Sequence, residues 1–157
     1  MRVLRGVAAL LLIALCACGG GDDESGEPLV SGSVTGEWDG SSFALANGFA
    51  TIFMDVPLIG VGDGPIHCGS ENDNDPPSGT SAAIAVPAFE VGAYTGVFVE
   101  LYHNVDEFEG VGSNAGSLTL DQVSDTSIAG SVSYDMTDEN GRHFALSGTF
   151  EVVRCAP

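Results

Sequence analysis

Lysine is absent from the 157 residues, and the four basic residues are all arginines: Arg2, Arg5, Arg142 and Arg154. Against them stand 22 Asp and Glu residues, a formal net charge of −18. Without lysine, Schiff-base chemistry and a phosphate-binding P-loop are excluded. The charge excludes a nucleic-acid binder, because phosphate contacts need a basic surface. No window carries an apolar stripe of helical period. The chain holds no Gly-x-Ser-x-Gly elbow and no His-Glu-x-x-His pair, and His67, His103 and His143 stand isolated. With no nucleophile–base constellation, the expectation is no enzyme and no catalytic residue. A carboxylate pair of glycosidase type is the one catalytic alternative, and so acidic a chain gives it no distinctive signal.

The most informative segment is the first. Arg2 and Arg5 precede an uncharged apolar stretch, Gly6 to Ala17, and then Cys18. That stretch covers 12 positions, whereas a helix spanning a bilayer needs about 20. A basic start, a short apolar middle and small residues at the end make an export signal. Leu15-Cys16-Ala17-Cys18 resembles the lipobox of bacterial lipoproteins, with Leu three positions before, and a small residue just before, the cysteine that is lipidated. The resemblance implies a signal peptide over residues 1–17, lipidation of Cys18 and attachment to the membrane. Cys16 is an alternative site, but Leu15 is a poor match to the small residue required before it. Gly19, rather than Asp, follows Cys18, and by the lipoprotein sorting rule this implies the outer membrane. Residues 18–28, Gly-rich and acidic, read as a flexible tether between anchor and domain. An ordinary cleaved secretory signal is the alternative.

Export decides how the remaining cysteines are read. With Cys16 removed and Cys18 lipidated, Cys68 and Cys155 are left outside the reducing cytosol, and an even pair there is expected to form a disulfide. A shared metal site at His67 and Cys68 is disfavoured, since neighbours on a strand point to opposite faces. Removal of residues 1–17 takes away two arginines and no acid, leaving 22 acids against 2 bases. Anchoring therefore rests on lipid rather than on a polybasic patch.

Residues 29–157 are expected to form one all-β domain, an antiparallel β-sandwich or small β-barrel of about eight strands. Val30, Val34 and Trp38 share one parity and lead into Asp39-Gly40, a preferred hairpin turn; Asn47-Gly48 reads as a second turn. Phe49 to Val56 reads as a strand ending at Pro57. A Gly-rich loop follows at 60–65, and strands at 82–89 and 94–103. Tyr94 to His103 is apolar on both sides, so both faces are expected to be covered. Asn104 to Ser117 reads as a flexible segment before a strand at 118–123. The clearest hairpin is the last, with Ile128, Val132, Tyr134 and Met136 alternating toward Thr137–Gly141 and Phe144, Leu146, Phe150 and Val152 alternating away. Gly130 and Gly148 fall in phase with these apolar sets, where a bulky neighbour or bend needs room. The ending Ser147-Gly148-Thr149-Phe150 with Cys155 resembles a pattern of uncharacterised bacterial lipoproteins with β domains, which implies no activity.

Candidate sites are few. Glu71 to Gly79 offers alternating oxygens for Ca²⁺, but neither the Gly nor the Glu of an EF-type loop falls at the required position, and a solvated turn is the better reading. Asp106–Glu109 and Asp138–Asn140 carry the same weak suggestion. No metal and no cofactor is therefore expected. Gly36-Glu37-Trp38 resembles the short Gly-x-Trp string of lipocalins, which would imply a carrier of a small apolar ligand; a tight turn directly after Trp38 departs from that family, and a core Trp is the better reading. The sum is a membrane-anchored envelope lipoprotein that binds or supports rather than catalyses, its protein, glycan or ligand partner unnamed.

Overall fold

The computed structural model describes residues 26–69, 78–105 and 107–156. Among them there is no helix; nine strands run in chain order as β1 (Ser31–Trp38), β2 (Ser41–Leu45), β3 (Asn47–Phe53), β4 (Val56–Gly62), β5 (Gly79–Ala85), β6 (Gly92–Asn104), β7 (Phe108–Val123), β8 (Ser127–Thr137) and β9 (His143–Arg154). Strands β3 to β9 close into a seven-stranded barrel, and β1 and β2 are two extra strands laid beside β9. Between the two architectures open to the sequence, the molecule takes the barrel. All pairings are antiparallel except the closing one, where β3 meets β9 in parallel through only Phe49↔Val153 and Ala50↔Arg154. Strand β1 uses the rest of the same edge of β9, from Ser31↔Glu151 to Trp38↔Phe144.

The interior is one cluster with contributions from all nine strands. Val34 and Trp38 of β1 and Leu45 of β2 join Ala50, Ile59, Val61, Ala82, Ile84, Val99, Leu101, Leu118, Leu120, Ile128, Tyr134, Phe144, Phe150 and Val152 from the barrel. Many of these side chains, among them Ile59, Val99, Leu101 and Phe144, are fully buried, and Leu146 of β9 is buried with them. A seven-stranded barrel is narrow, and its strands must curl tightly to close. Glycine makes this possible. Along one rung of the sheet the inward positions read Gly32, Phe150, Gly130, Leu120, and along the next Val34, Gly148, Val132, Leu118. Gly148 sits at φ 146°, and a Cβ there would enter the carbonyl oxygen of Ser33 on β1. Each glycine thus lies beside larger residues across its rung, and a neighbouring strand folds over it.

The turns divide into expected and unexpected. Asp39 and Gly40 both have positive φ, 45° and 86°, as the hairpin between β1 and β2 requires. Asn47-Gly48 is not a turn, which corrects the expectation from sequence: only Ala46 separates β2 from β3. The pair serves close packing instead. The Asn47 amide donates to the Gly64 carbonyl at 2.9 Å, and a Cβ on Gly48 would collide with Val152. The hairpin lies later, at Met54-Asp55, where two non-glycine residues take φ of 48° and 66°. Consequently Val56 and Pro57 open a strand, β4, where the sequence suggested a strand end and a Gly-rich loop. Proline is tolerated there because it lies at the start of the strand, and its carbonyl still accepts from the Val86 N–H at 2.8 Å. The segment 104–117, expected to be flexible, is also corrected: β7 begins at Phe108 and pairs with β6 from Asn104↔Phe108 onward. Register shifts at Thr95/Val97 and Val97/Val99, with Gly96 at φ 70°, let these two long strands bend around the barrel.

A second, smaller apolar layer lies outside β3 and β4. Phe49 and Ile66 are buried, and Phe49 covers Gly60 while Ile66 covers Gly62. The Glu27 N–H donates to the Ile66 carbonyl at 2.7 Å, and the Gly48 N–H donates to the Glu27 carbonyl at 2.8 Å. The described chain therefore enters the fold on this outer layer, next to the loop that carries Cys68.

Candidate functional site

Cys68 and Cys155 form a disulfide, with Cα atoms 5.5 Å apart. It ties the loop after β4 to the residue after β9, directly beyond the two-pair parallel seam that closes the barrel. The Cys155 N–H donates to the Ala50 carbonyl at 2.8 Å, extending the seam by one bond. The pair is structural: its place is the closure of the barrel.

The other positions singled out in the sequence fall as follows. Cys18, the expected lipidation site, lies outside the described residues, as do Glu71–Pro77 of the acidic loop and Asp106. Among the described residues, no three His, Cys, Asp or Glu side chains form a group able to hold a metal ion. Asp138 is occupied by its own turn: its carboxylate accepts the backbone N–H of Asn140 and of Arg142 and the Arg142 Nε, each at 2.9 Å. Arg142 also reaches Glu109 at 3.3 Å and lies over the Phe144 ring at 5.4 Å. Trp38 is a core residue, packed edge-on to Phe144 and stacked on His103 at 5.2 Å. The Nδ1 of His103 is 3.0 Å from Thr80 Oγ1. His143 stands on the outer face between two carboxylates, Glu37 of β1 at 3.2 Å and Asp135 of β8 at 3.3 Å. Hydrogen bonding to Glu37 and then to Asp135 raises its pKa above the ordinary histidine value.

The feature not foreseen lies on the outer face of β6 and β7. Val97, Val99 and Leu101 of β6 point inward and are buried, so the alternating Phe98, Glu100 and Tyr102 stand outside. That face of the strand is not covered, contrary to expectation: Phe98 is 40% exposed. Across the register, Glu100 faces Gly112 and Tyr102 faces Gly110. With no side chains on β7 at those points, the rings lie down on the sheet; the Phe98 ring reaches to Gly112 and the Tyr102 ring covers Gly110. Phe108 then stacks on Tyr102, ring centroids 5.7 Å apart and planes 20° from parallel, and remains 51% exposed. Within this strip the Tyr102 hydroxyl donates to Glu100 at 2.6 Å. Burial foremost, then the hydrogen bond to Glu100 and its charge, pushes the Tyr102 phenol well above its usual range. It therefore stays a donor, and Glu100 is held in place with acceptor capacity to spare. The result is an outer strip of Phe98, Glu100, Tyr102 and Phe108, in which a carboxylate is set among aromatic rings.

An uncovered row of this kind offers ring faces and a fixed acceptor to a partner. Compared with protein families, with curated proteins and with solved structures, the chain finds no match, so its function is argued from this geometry and from its sequence.

Proposed function

We propose that the protein is a lipid-anchored module of the bacterial cell envelope, exported by the signal at residues 1–17, held to the membrane through Cys18, and acting by binding or support rather than by catalysis. The observation that carries binding at the surface is the packed interior. Buried side chains of every barrel strand meet in one cluster, which leaves the outer face as the part of the domain available to a partner. This favours contact at the surface over carriage of an apolar ligand inside the barrel, for which an open cavity is needed. The disulfide agrees with export, since such bonds persist in oxidising compartments. Several acyl chains on Cys18 anchor stably where one is marginal, at about 0.8 kcal/mol per buried methylene. With Gly19 after the lipidated cysteine, the outer membrane is the membrane proposed.

The test is metabolic labelling with a palmitate analogue of cells producing the wild-type chain or Cys18→Ser, followed by membrane fractionation. Label in the wild type, none in the variant and release of the variant from the membrane fraction are expected. Label that survives the substitution, or none in the wild type, overturns the anchor.

A further inference from the structure

We infer that the outer strip of β6 and β7 is a docking surface for a basic segment of another protein, with arginine or lysine side chains laid on the rings of Phe98, Tyr102 and Phe108 and paired with the Glu100 carboxylate. The inference rests on the reading of the chain as a binding module and names the chemistry of its partner.

The argument is one of charge and geometry together. Cations bind aromatic faces through the ring quadrupole, and most strongly where a carboxylate completes the contact. The fold already uses this pairing with its own residues. Arg142 lies over Phe144 while bonded to Asp138 and Glu109, and Arg154 lies over Phe89 at 5.4 Å while donating to the Ser124 carbonyl at 2.9 Å. These are the only lysine or arginine side chains after residue 5. Both are engaged elsewhere, so the strip of aromatic rings and Glu100 is left without an arginine of its own. Gly110 and Gly112 let the Tyr102 and Phe98 rings lie against the sheet, and a planar guanidinium stacks on an exposed ring face. An acidic partner would meet Glu100 within a chain of net charge −18 and be repelled.

The test uses the mature lipidated protein in detergent and a fluorescent decapeptide of alternating Arg and Gly, titrated by anisotropy at two salt concentrations. A neutral oligosaccharide, maltohexaose, serves as a second probe by calorimetry. The peptide is expected to bind, more weakly at the higher salt, and to lose about tenfold in affinity in Phe98→Ala, Phe108→Ala or Glu100→Gln. Asp125→Asn, an equal loss of charge on the exposed turn at the other end of β7 from Phe108, is expected to change affinity less than about twofold. Circular dichroism and an intact disulfide check the fold of each variant. Equal weakening in Asp125→Asn and in the strip variants would mean attraction to overall charge only and overturn the inference. So would strip-dependent binding of maltohexaose without the peptide, which assigns the face to glycan, or binding of neither probe. Palmitate labelling of Cys18 is read separately, so the partner can fail while the anchored-module reading stands.

Discussion

The barrel is closed by its weakest seam, and the disulfide sits directly on it. Strands β3 and β9 share two residue pairs and one further backbone bond, from Cys155 to Ala50. Cys68 and Cys155 lie 87 residues apart, so the covalent ring encloses β5 to β9 entire. In the chain-entropy model, closing a loop of this length removes about 15 cal/mol/K from the unfolded state, or about 4.6 kcal/mol at 25 °C. Small domains have net stabilities of about 5–15 kcal/mol, so the bond accounts for a third or more of the total at the middle of that range. The double variant Cys68→Ala with Cys155→Ala avoids leaving a lone thiol. Urea unfolding, followed by the fluorescence of Trp38 in its packed site, should show a loss of about 3–5 kcal/mol, with an m-value that rises slightly because the uncrosslinked chain expands further. Amide exchange should quicken first at Phe49, Ala50 and residues 153–155, where the seam has fewest bonds. A loss under about 1 kcal/mol would refute the reasoning. So would free thiols at Cys68 and Cys155 in the unreduced protein by mass spectrometry.

Three further outcomes are expected. Gly148→Ala, which drives a methyl into the Ser33 carbonyl at a positive φ, should separate β1 from β9 and cost about 2–4 kcal/mol in denaturant unfolding; a cost below about 0.5 kcal/mol would show that the strands yield freely. The hairpin at Met54-Asp55 has two non-glycine residues in the left-handed region, so Met54→Asn with Asp55→Gly should stabilise by about 1 kcal/mol, read as a rise in the thermal midpoint. The pKa of His143 is raised in the fold, so its contribution to stability is fully present below the unfolded value of 6.5 and declines as pH rises through the higher folded value. Proton NMR should find His143 titrating above 6.5 in the wild type, and His143→Gln should flatten the fall in stability across that window; a His143 titration at or below 6.5 would remove the Glu37 and Asp135 contacts from the account.

Most of the strands were legible where alternation was unbroken. β8 and β9 alternate cleanly on one face and matched their expected hairpin, and Asp39-Gly40 made the turn its residues favour. The failures share a cause. Glycine was read as local punctuation at Asn47-Gly48, in the stretch 60–65 and in 104–117, whereas in this molecule it marks places where another strand or ring comes close. Gly48 admits Val152, Gly60 lies beneath Phe49, and Gly110 and Gly112 lie beneath Tyr102 and Phe98. Those contacts are long-range, so no window of sequence contains them. The opposite error followed at Met54-Asp55, where a turn formed without the residues that favour one, because the strand pairing on either side fixes the hairpin there.

The outer strip was hidden for a further reason. β6 is apolar at both parities, so alternation alone cannot say whether Val97, Val99 and Leu101 or Phe98 and Tyr102 face the core. Size suggests the aromatic set, and the barrel takes the other, because its narrow interior already holds Trp38, Tyr134, Phe144 and Phe150. Two more rings would overfill it. Phe98 and Tyr102 are therefore sent outside by a limit of volume and lie flat only because the register brings Gly112 and Gly110 opposite. The limit of volume that sends these rings outside thus builds the surface proposed to meet a partner. A barrel widened inside, as by Phe150→Ala, should lose about 3–5 kcal/mol of stability while leaving peptide binding at the strip unchanged in the fraction that stays folded; a parallel loss of binding would mean that the strip depends on the core in a way this geometry does not contain.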